Sequence, residues 1–123
     1  ELVETGLKVQ LSKSVPQIVQ ERFRANLTQA CASLGLDFEE LEHFVLHPGG
    51  AKVLDAFEEV LGIEPGGLTY SRTVLRECGN MSSVTVLFIL ERFLRSTERA
   101  RGGLGVLSAM GPGFSAEHVF FRC

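Results

Sequence analysis

A chain of 123 residues that is 45% hydrophobic is long enough to bury a core of its own without help from disulfides or metals. Its formal net charge of -3 argues against a nucleic-acid partner, because nucleic acids bind surfaces with an excess of positive charge. The apolar runs are too short to span a bilayer, and three cysteines without Cys-x-x-Cys spacing argue against a metal site and are typical of reduced thiols in a cytoplasm.

The N-terminal third predicts a strand followed by a long helix. Between Leu7 and Leu11, apolar residues alternate with polar ones, which is the period of a strand with one buried face. Pro16 falls in a first helical turn, where proline is tolerated, and Gly35 is a natural C-terminal stop. Between them, apolar residues recur at spacings of three and four, as in an amphipathic helix: Val15, Val19, Phe23, Leu27, Ala30 and Leu34.

The middle of the chain begins with a predicted buried strand. The apolar run 44–46 is typical of a strand buried on both faces, and it leads directly into His47-Pro48-Gly49-Gly50. An apolar stripe between Val53 and Leu61 then predicts a second helix, with Gly62 after it as a stop.

A third, shorter helix follows a turn made by Pro65-Gly66-Gly67. Thr69 or Ser71 is expected to cap it, since both residue types are good N-caps. The helix is expected to end near Cys78, because Gly79 breaks it.

The C-terminal third predicts an apolar helix and a strand pair. The helix runs from Met81 to about Ser96 and ends in a charged tail. Two strands follow at about 103–110 and 117–122, with Gly111-Pro112-Gly113 as the turn between them. The order of elements indicates an α/β fold with a mixed sheet whose last pair of strands is antiparallel.

Two polar positions lie where a layered α/β protein binds its ligands, beyond the carboxyl ends of strands. His47 ends a buried strand, and Gly49 and Gly50 remove side chains so that a ligand can come close. Asn80 lies in the break before the most apolar helix. Taken singly, each has a plainer interpretation, since a histidine before Pro-Gly-Gly is often a turn residue and Asn80 would serve as a helix cap.

Three motifs occur together in a fixed order. They are His-Pro-Gly-Gly at 47–50, Gly-Asn-Met-Ser-Ser-Val-Thr-Val-Leu-Phe-Ile-Leu at 79–90 and Gly-Pro-Gly at 111–113, with Lys13-Ser14-Val15-Pro16 ahead of them. Together they closely resemble the C-terminal half of the type III polyketide synthases, the chalcone-synthase-like enzymes of the thiolase-fold superfamily. The resemblance runs from about Gly6 to Arg122 and implies a thiolase-like half, a mixed β-sheet layered with α-helices.

The resemblance implies a condensing enzyme. In that family a cysteine thiolate accepts an acyl group from coenzyme A, and a histidine and an asparagine assist the decarboxylation of malonyl-CoA. His47 and Asn80 hold the matching motif positions, where their N–H groups would stabilise the enolate, and His47 would also pair with the thiolate. Acyl-CoA and malonyl-CoA are the implied substrates, with no further cofactor. Gly49, Gly50 and Lys52 would hold coenzyme A near the entrance, unless Lys52 is only a solvated helix lysine.

Further motif positions relate to the shape of the substrate pocket. Ser82 matches a residue that lines the polyketide cavity, and Gly111-Pro112-Gly113 is assigned to the same site besides forming the hairpin turn. Val9 falls where plant members carry a bulky gating phenylalanine. Ala109-Met110 stands where plant members commonly have Gly-Phe. Both departures favour a bacterial-type member with a differently shaped pocket.

The nucleophilic cysteine of the family has no match here. Cys31 and Cys78 fall in the last turns of predicted helices, and Cys123 is the terminal residue. A helix C-terminus would raise the pKa of Cys31 rather than lower it. The chain also opens at Glu1 without an initiator methionine. Residues 1–123 are therefore interpreted as the C-terminal thiolase-like domain of a ketosynthase, with the Cys-bearing N-terminal half absent and the isolated chain inactive.

The missing half is itself an expected partner. Thiolase-fold ketosynthases are built as two similar halves that meet at the active site, so a lone half would leave its inner face uncovered and be poorly soluble or self-associated. The resemblance further implies a cytoplasmic homodimer, and neither nucleic acid nor membrane is expected as a partner. His43 and His118 have no partner by spacing and are interpreted as surface or packing residues.

Two alternatives stay open. A β-ketoacyl-acyl carrier protein synthase III shares the Cys-His-Asn logic, and preference for coenzyme A over carrier-protein thioesters would separate the two. Gly-Asn-Met-Ser-Ser together with Gly-Pro-Gly favours the type III polyketide class. The other alternative is a non-catalytic interaction domain that kept the fold and lost the nucleophile. The presence of both His47 and Asn80 argues against it.

Overall fold

A computed structural model describes residues 2–3, 6–7, 15–111 and 115–123. Short 3-10 turns lie at Phe38–Glu40 and Arg99–Arg101. The strands and α-helices are β1 (Leu2–Val3), β2 (Gly6–Leu7), α1 (Val15–Ile18), α2 (Arg24–Ser33), β3 (Leu41–Leu46), α3 (Ala51–Leu61), α4 (Thr69–Cys78), α5 (Val84–Arg95), β4 (Leu104–Gly111) and β5 (Ser115–Arg122). The predicted α/β class is confirmed.

The main sheet has three strands in the order β3-β4-β5. β3 and β4 are parallel, with Leu46 opposite Ser108, and β4 and β5 are antiparallel, with Ser108 opposite His118. The sheet is therefore mixed and ends in an antiparallel pair, as predicted. β1 and β2 form a separate antiparallel pair.

Helices cover both faces of this sheet, and each face has its own apolar cluster. On one face, Leu46 and Val106 pack with side chains from α2, α3 and the segment before α2. On the other face, Val45 packs with residues of α4 and α5. Neighbouring residues of β3 thus point to opposite clusters, which explains why the predicted strand at 44–46 reads as an unbroken apolar run.

The long predicted helix is confirmed, but it contains a π-helical segment at Val19–Phe23 between α1 and α2. Four fully buried residues follow one another at intervals of four along it: Val19, Phe23, Leu27 and Cys31. Because an α-helix has 3.6 residues per turn, a strict four-residue spacing drifts around its surface. The wider π turn offsets part of that drift and keeps these side chains on the face that packs against the sheet.

The predicted cap of α4 is wrong. The N-cap residue is Leu68, and neither Thr69 nor Ser71 caps the helix with its side chain. Ser71 lies within the first turn instead, where its buried hydroxyl donates to the Leu46 carbonyl at 2.9 Å. The Leu68 N–H donates to the carboxylate of Glu58 at 3.1 Å. An acidic side chain from α3 therefore satisfies a backbone N–H at the start of α4 in place of a local cap.

That carboxylate belongs to a partly buried ion pair between α3 and α4. Arg72 donates to Glu58 through Nε at 3.0 Å and to Asp55 through a guanidinium nitrogen at 2.6 Å. Glu58 also accepts the Gly66 N–H at 3.1 Å. The hydrogen bond from Arg72, assisted by these backbone N–H groups, holds the pKa of the Glu58 carboxyl below its ordinary value although burial opposes the shift.

Several predicted boundaries moved by a few residues. β3 begins at Leu41, three residues before the predicted start, and α5 begins at Val84 rather than Met81. The predicted strand between Leu7 and Leu11 lies mostly outside the described residues, and Val9 lies entirely outside them.

Candidate active site

His47 lies immediately after β3, at the carboxyl end of the strand. Its backbone N–H donates to the Ser108 carbonyl of β4 at 3.0 Å, which extends the parallel ladder by one rung. The Leu46 carbonyl just before it is held by Ser71, and Pro48 just after it is fully buried. The backbone on both sides of His47 is therefore fixed while its side chain remains partly exposed.

Asn80 lies in the turn between α4 and α5. Its side-chain oxygen accepts the Ser82 N–H at 2.9 Å, so Asn80 caps the turn and not the helix, whose N-cap is Ser83. An oxygen that accepts from Ser82 orients the carboxamide and leaves its NH2 group, with two donors, directed away from that bond. The plainer prediction that Asn80 caps the helix is therefore wrong.

The imidazole of His47 meets this same turn. Its Nε2 lies 2.6 Å from the Ser82 carbonyl oxygen. Since a carbonyl oxygen only accepts, Nε2 carries the proton and donates it, which leaves Nδ1 as the acceptor of the neutral ring. The two side chains singled out from separate motifs are thus brought to one residue: Ser82 holds Asn80 through its N–H and His47 through its carbonyl.

Ser82 has a backbone conformation that glycine usually occupies. Its φ is +61°, and it is the non-glycine residue with positive φ in the described part of the chain. An L-residue in this left-handed region costs roughly 1–2 kcal/mol. This reversal also explains why α5 starts three residues later than predicted, because a left-handed residue cannot continue a right-handed helix.

Thr85 completes the turn from inside the protein. Its fully buried hydroxyl oxygen accepts the Met81 N–H at 2.7 Å, and its own N–H donates to the Ser82 carbonyl at 3.1 Å. No role was predicted for Thr85 from the sequence. The signal was a hydroxyl within the longest apolar run of the chain, five residues after Asn80.

The predicted coenzyme A residues lie at the start of α3, directly after His47. Gly50 is the N-cap of α3, and a Cβ added to it would meet nothing within 4 Å, so the backbone there is open to a ligand. Lys52 is exposed in the first helical turn. Gly111 ends β4 opposite Ser115, whereas Pro112 and Gly113 lie outside the described residues.

All three cysteines are free thiols. Cys31 is buried in α2, where desolvation and then the nearby charge of Asp37 raise its pKa. Cys78 ends α4 and Cys123 ends the chain, and both are exposed. The surroundings of Cys31 therefore disfavour a reactive thiolate.

The other two histidines have structural partners. His43 is buried, packs against the Phe93 ring and donates from Nε2 to the Gly102 carbonyl at 2.7 Å. His118 bridges Ser108, 2.7 Å from Nδ1, and Asn26, 2.6 Å from Nε2, and burial lowers its pKa. No sequence signal predicted this bridge, because Asn26 and His118 are 92 positions apart.

The described residues also form a cleft away from His47. A cleft of about 450 Å³ lies near the start of β3, lined by residues that include His43, Tyr70 and Phe93, at the opposite end of the strand from His47. In the part of the chain that the structure describes, no group of three His, Cys, Asp or Glu side chains is arranged to hold a metal ion. Nor does any described helix combine the length and apolar character that crossing a membrane requires.

The whole chain, residues 1–123, matches the model of the family described as chalcone and stilbene synthases, C-terminal domain. The chain belongs to this family. The resemblance drawn from the motifs is therefore confirmed, and the motifs at His47 and Asn80 lie within a chalcone synthase-like type III polyketide synthase domain.

Individual relatives support the same assignment. The Bacillus subtilis (strain 168) protein named "Putative chalcone synthase" is 32% identical over 121 residues, which cover 98% of this chain and 33% of that protein. The crystal structure of PKS-I from the brown alga Ectocarpus siliculosus matches with a TM-score of 0.84 and 26% identity, over 98% of this chain and 33% of that one. This chalcone synthase-like chain thus spans about a third of the length of either relative.

Proposed function

We propose that this chain supplies the enolate-stabilising part of the active site of a type III polyketide synthase, which condenses an acyl-CoA starter with malonyl-CoA. The observation that carries the proposal is the double contact of Ser82, whose backbone holds both His47 and Asn80 at one turn. Two neutral donor groups at one place suit the oxygen of an enolate, which becomes negatively charged as carbon dioxide leaves the malonyl thioester.

The two residues contribute different donors. Asn80 offers the NH2 group of a carboxamide whose oxygen is already fixed by Ser82. His47 carries its proton on Nε2, and the Ser82 carbonyl accepts it at 2.6 Å. In the proposed reaction the thioester oxygen takes the place of that carbonyl as the acceptor. Neither donor adds negative charge, so both stabilise the enolate without repelling it.

The remaining groups of the reaction lie outside this chain. A cysteine thiolate, supplied by the N-terminal part of the full protein and ionised with the help of His47, would attack the carbonyl of the starter thioester. An acyl-cysteine thioester would form as the bond to coenzyme A breaks and coenzyme A leaves as its thiolate. Gly49 and Gly50 would let coenzyme A approach the backbone, with Lys52 near its phosphates, and Val9, Ser82 and Gly111-Pro112-Gly113 would line the substrate pocket.

Exposed apolar residues along α5 support the proposal that the N-terminal half packs against this helix. Four large apolar side chains of this helix are exposed, with Leu87 exposed to 59%. They begin at the Asn80 turn and follow one another at helical spacings, so a covering element would close the site at the same time. These four residues are Val84, Leu87, Phe88 and Leu94.

The proposal is tested by measuring carbon dioxide release from malonyl-CoA. The chain is assayed alone and together with a supplied N-terminal half that carries the cysteine. Activity is expected only in the combined sample, and His47→Ala or Asn80→Ala should each lower the rate by about 10²–10³-fold, the usual cost of removing one oxyanion donor.

Gln29→Ala is the matched control, since Gln29 is an exposed amide on α2 away from the site. Its rate should equal that of the unaltered chain. If both halves are folded and no carbon dioxide is released, the catalytic proposal is wrong. Activity with acyl carrier protein thioesters but not with coenzyme A thioesters would move the assignment to a synthase III-like condensing enzyme.

A further inference from the structure

Thr85 forms hydrogen bonds to the backbone of both Met81 and Ser82, the two residues at the centre of the turn. Its hydroxyl accepts the Met81 N–H and its N–H donates to the Ser82 carbonyl, so the two bonds lie at either end of the Met81–Ser82 segment. Within that segment, Ser82 offers the N–H that holds Asn80 and the carbonyl that holds His47. Every hydrogen bond that orients the two donors therefore passes through a turn that Thr85 fixes.

We propose that Thr85 is a positioning residue for His47 and Asn80, acting through the Ser82 turn without contact to substrate. The proposal rests on the function proposed above only for its activity measurement. Thr85 is fully buried in the first turn of α5, whereas Asn80 and Ser82 are exposed. A buried hydroxyl on a regular helix thus anchors an exposed turn to the rigid part of the fold.

The strained backbone of Ser82 needs hydrogen bonds such as those of Thr85 to keep its conformation. A serine at φ +61° is held in a conformation that the isolated chain disfavours, so surrounding bonds have to maintain it. The Met81 N–H precedes Ser82 directly, and its bond to Thr85 is made by a side chain that cannot move without leaving the core. Without that bond the turn would relax toward conformations in which the Ser82 N–H and carbonyl no longer face Asn80 and His47.

The second bond lets His47 exchange partners. The Ser82 carbonyl accepts from both His47 Nε2 and the Thr85 N–H. When His47 turns to a substrate oxygen, the carbonyl keeps the Thr85 N–H and is not left without a donor. The turn then stays in place while the imidazole moves, and Asn80 keeps its orientation.

The test compares Thr85→Val with Thr85→Ser in this chain. Valine has the shape of threonine without the acceptor, and serine keeps the acceptor. Amide hydrogen exchange at Met81 and Ser82 should be about tenfold faster in Thr85→Val, because one hydrogen bond is lost, and close to the unaltered rate in Thr85→Ser. The ¹⁵N shifts of the His47 ring should show that Nε2–H loses its fixed acceptor only in the valine variant.

Ile89→Val is the matched control, since Ile89 is equally buried on α5 and has no hydrogen bond to the turn. It should lower stability slightly and leave exchange at Met81 and Ser82 unchanged after correction for global unfolding. If Thr85→Val leaves these amides and the His47 ring unchanged, or if Ile89→Val alters them equally, Thr85 has no positioning role.

The activity measurement uses the combined halves. Thr85→Val should lower kcat for malonyl-CoA decarboxylation by about tenfold with KM little changed, and Thr85→Ser should restore it. A loss of kcat that serine does not restore contradicts the proposal. If the turn loosens as expected while the unaltered combined sample is inactive, Thr85 still positions the two side chains and it is the proposed function that fails.

Discussion

The turn before α4 and the turn before α5 are built in opposite ways. The turn before α4 contains Gly66 at φ +83° and is held by the carboxylate of Glu58, which reaches in from α3. The turn before α5 contains Ser82 at φ +61° and is held by its own neighbours, Asn80 and Thr85. A left-handed residue is thus glycine in one turn and serine in the other.

The two turns differ in the chemistry of the groups that hold them. The first turn is held by a charged group whose hydrogen bonds stay within the protein: the Glu58 oxygens accept from two backbone N–H groups and from Arg72. In the second turn the contacts are between neutral groups: the oxygen of the Asn80 carboxamide accepts the Ser82 N–H, and its NH2 group is directed away from that bond. In the proposed function the first turn only connects two helices, whereas the second holds donors for a substrate, and backbone strain is often found at such sites.

The largest expected effect on stability comes from the ion pair that holds the turn before α4. Arg72→Met would leave the Glu58 carboxylate, whose side chain is 4% exposed, without its cationic partner. Because the Arg72 side chain is 26% exposed, losing it should lower the free energy of unfolding by about 2 kcal/mol, between the costs of breaking an exposed and a fully buried pair. Urea denaturation of the chain measures this.

The matched control is Arg92→Met, which breaks the exposed pair of Arg92 with Glu77. It should cost less than about 1 kcal/mol, as exposed pairs do. Equal effects of the two substitutions would contradict the comparison, since the first turn would then gain nothing from its buried charge.

Acid should separate the two turns. The pKa of Glu58 is held below its ordinary value of 4.5, so its carboxylate stabilises the fold above pH 4.5 and this contribution is lost as the pH falls through the folded pKa. Hydrogen-exchange protection of the Gly66 and Leu68 N–H groups should fall in that range. Protection of Met81 and Ser82, held by neutral groups, should follow global stability alone, and a parallel loss in both turns would be evidence against separate control.

The smallest effect concerns the left-handed residues themselves. Gly66→Ala should destabilise the chain by about 1 kcal/mol through backbone strain alone, because a Cβ there meets nothing within 4 Å. Ser82→Gly should raise the free energy of unfolding by a few tenths of a kcal/mol, as strain relief of about 1 kcal/mol is partly offset by the entropy of glycine. Thermal unfolding of both variants measures the pair. A stability loss in Ser82→Gly would show that serine is not strained there.

The sequence was most informative where the local pattern and the fold agree. The period of the apolar residues predicted the long helix that contains α1 and α2, and it also predicted α3, for which Gly62, at φ +69°, was recognised as a stop. The strand before His47 and the antiparallel pair at the end were also predicted, because strands leave a clear apolar record. His47 and Asn80 were selected by motifs, and the structure brings both to Ser82.

What the sequence could not predict depends on contacts between distant residues. The predicted cap at Thr69 or Ser71 failed because Glu58, ten positions before Leu68, satisfies the turn instead. The start of α5 moved because Ser82 is left-handed, which its residue type does not indicate. Thr85 was overlooked for a related reason, since a single hydroxyl in an apolar run gives no sign of which backbone group it accepts from.

The π-helical segment at Val19–Phe23 bears on how the chain tolerates changes in length. A π turn holds one more residue than an α turn, so it has the form of a one-residue insertion accommodated without shifting the helix on either side. Removing Gln20, an exposed residue of this segment, would restore a regular α-helical turn and leave Val15 and Val19 close to their present face relative to Phe23. A one-residue deletion should therefore be tolerated better within this segment than in α2, where it would rotate the residues before it by about 100° relative to those after it.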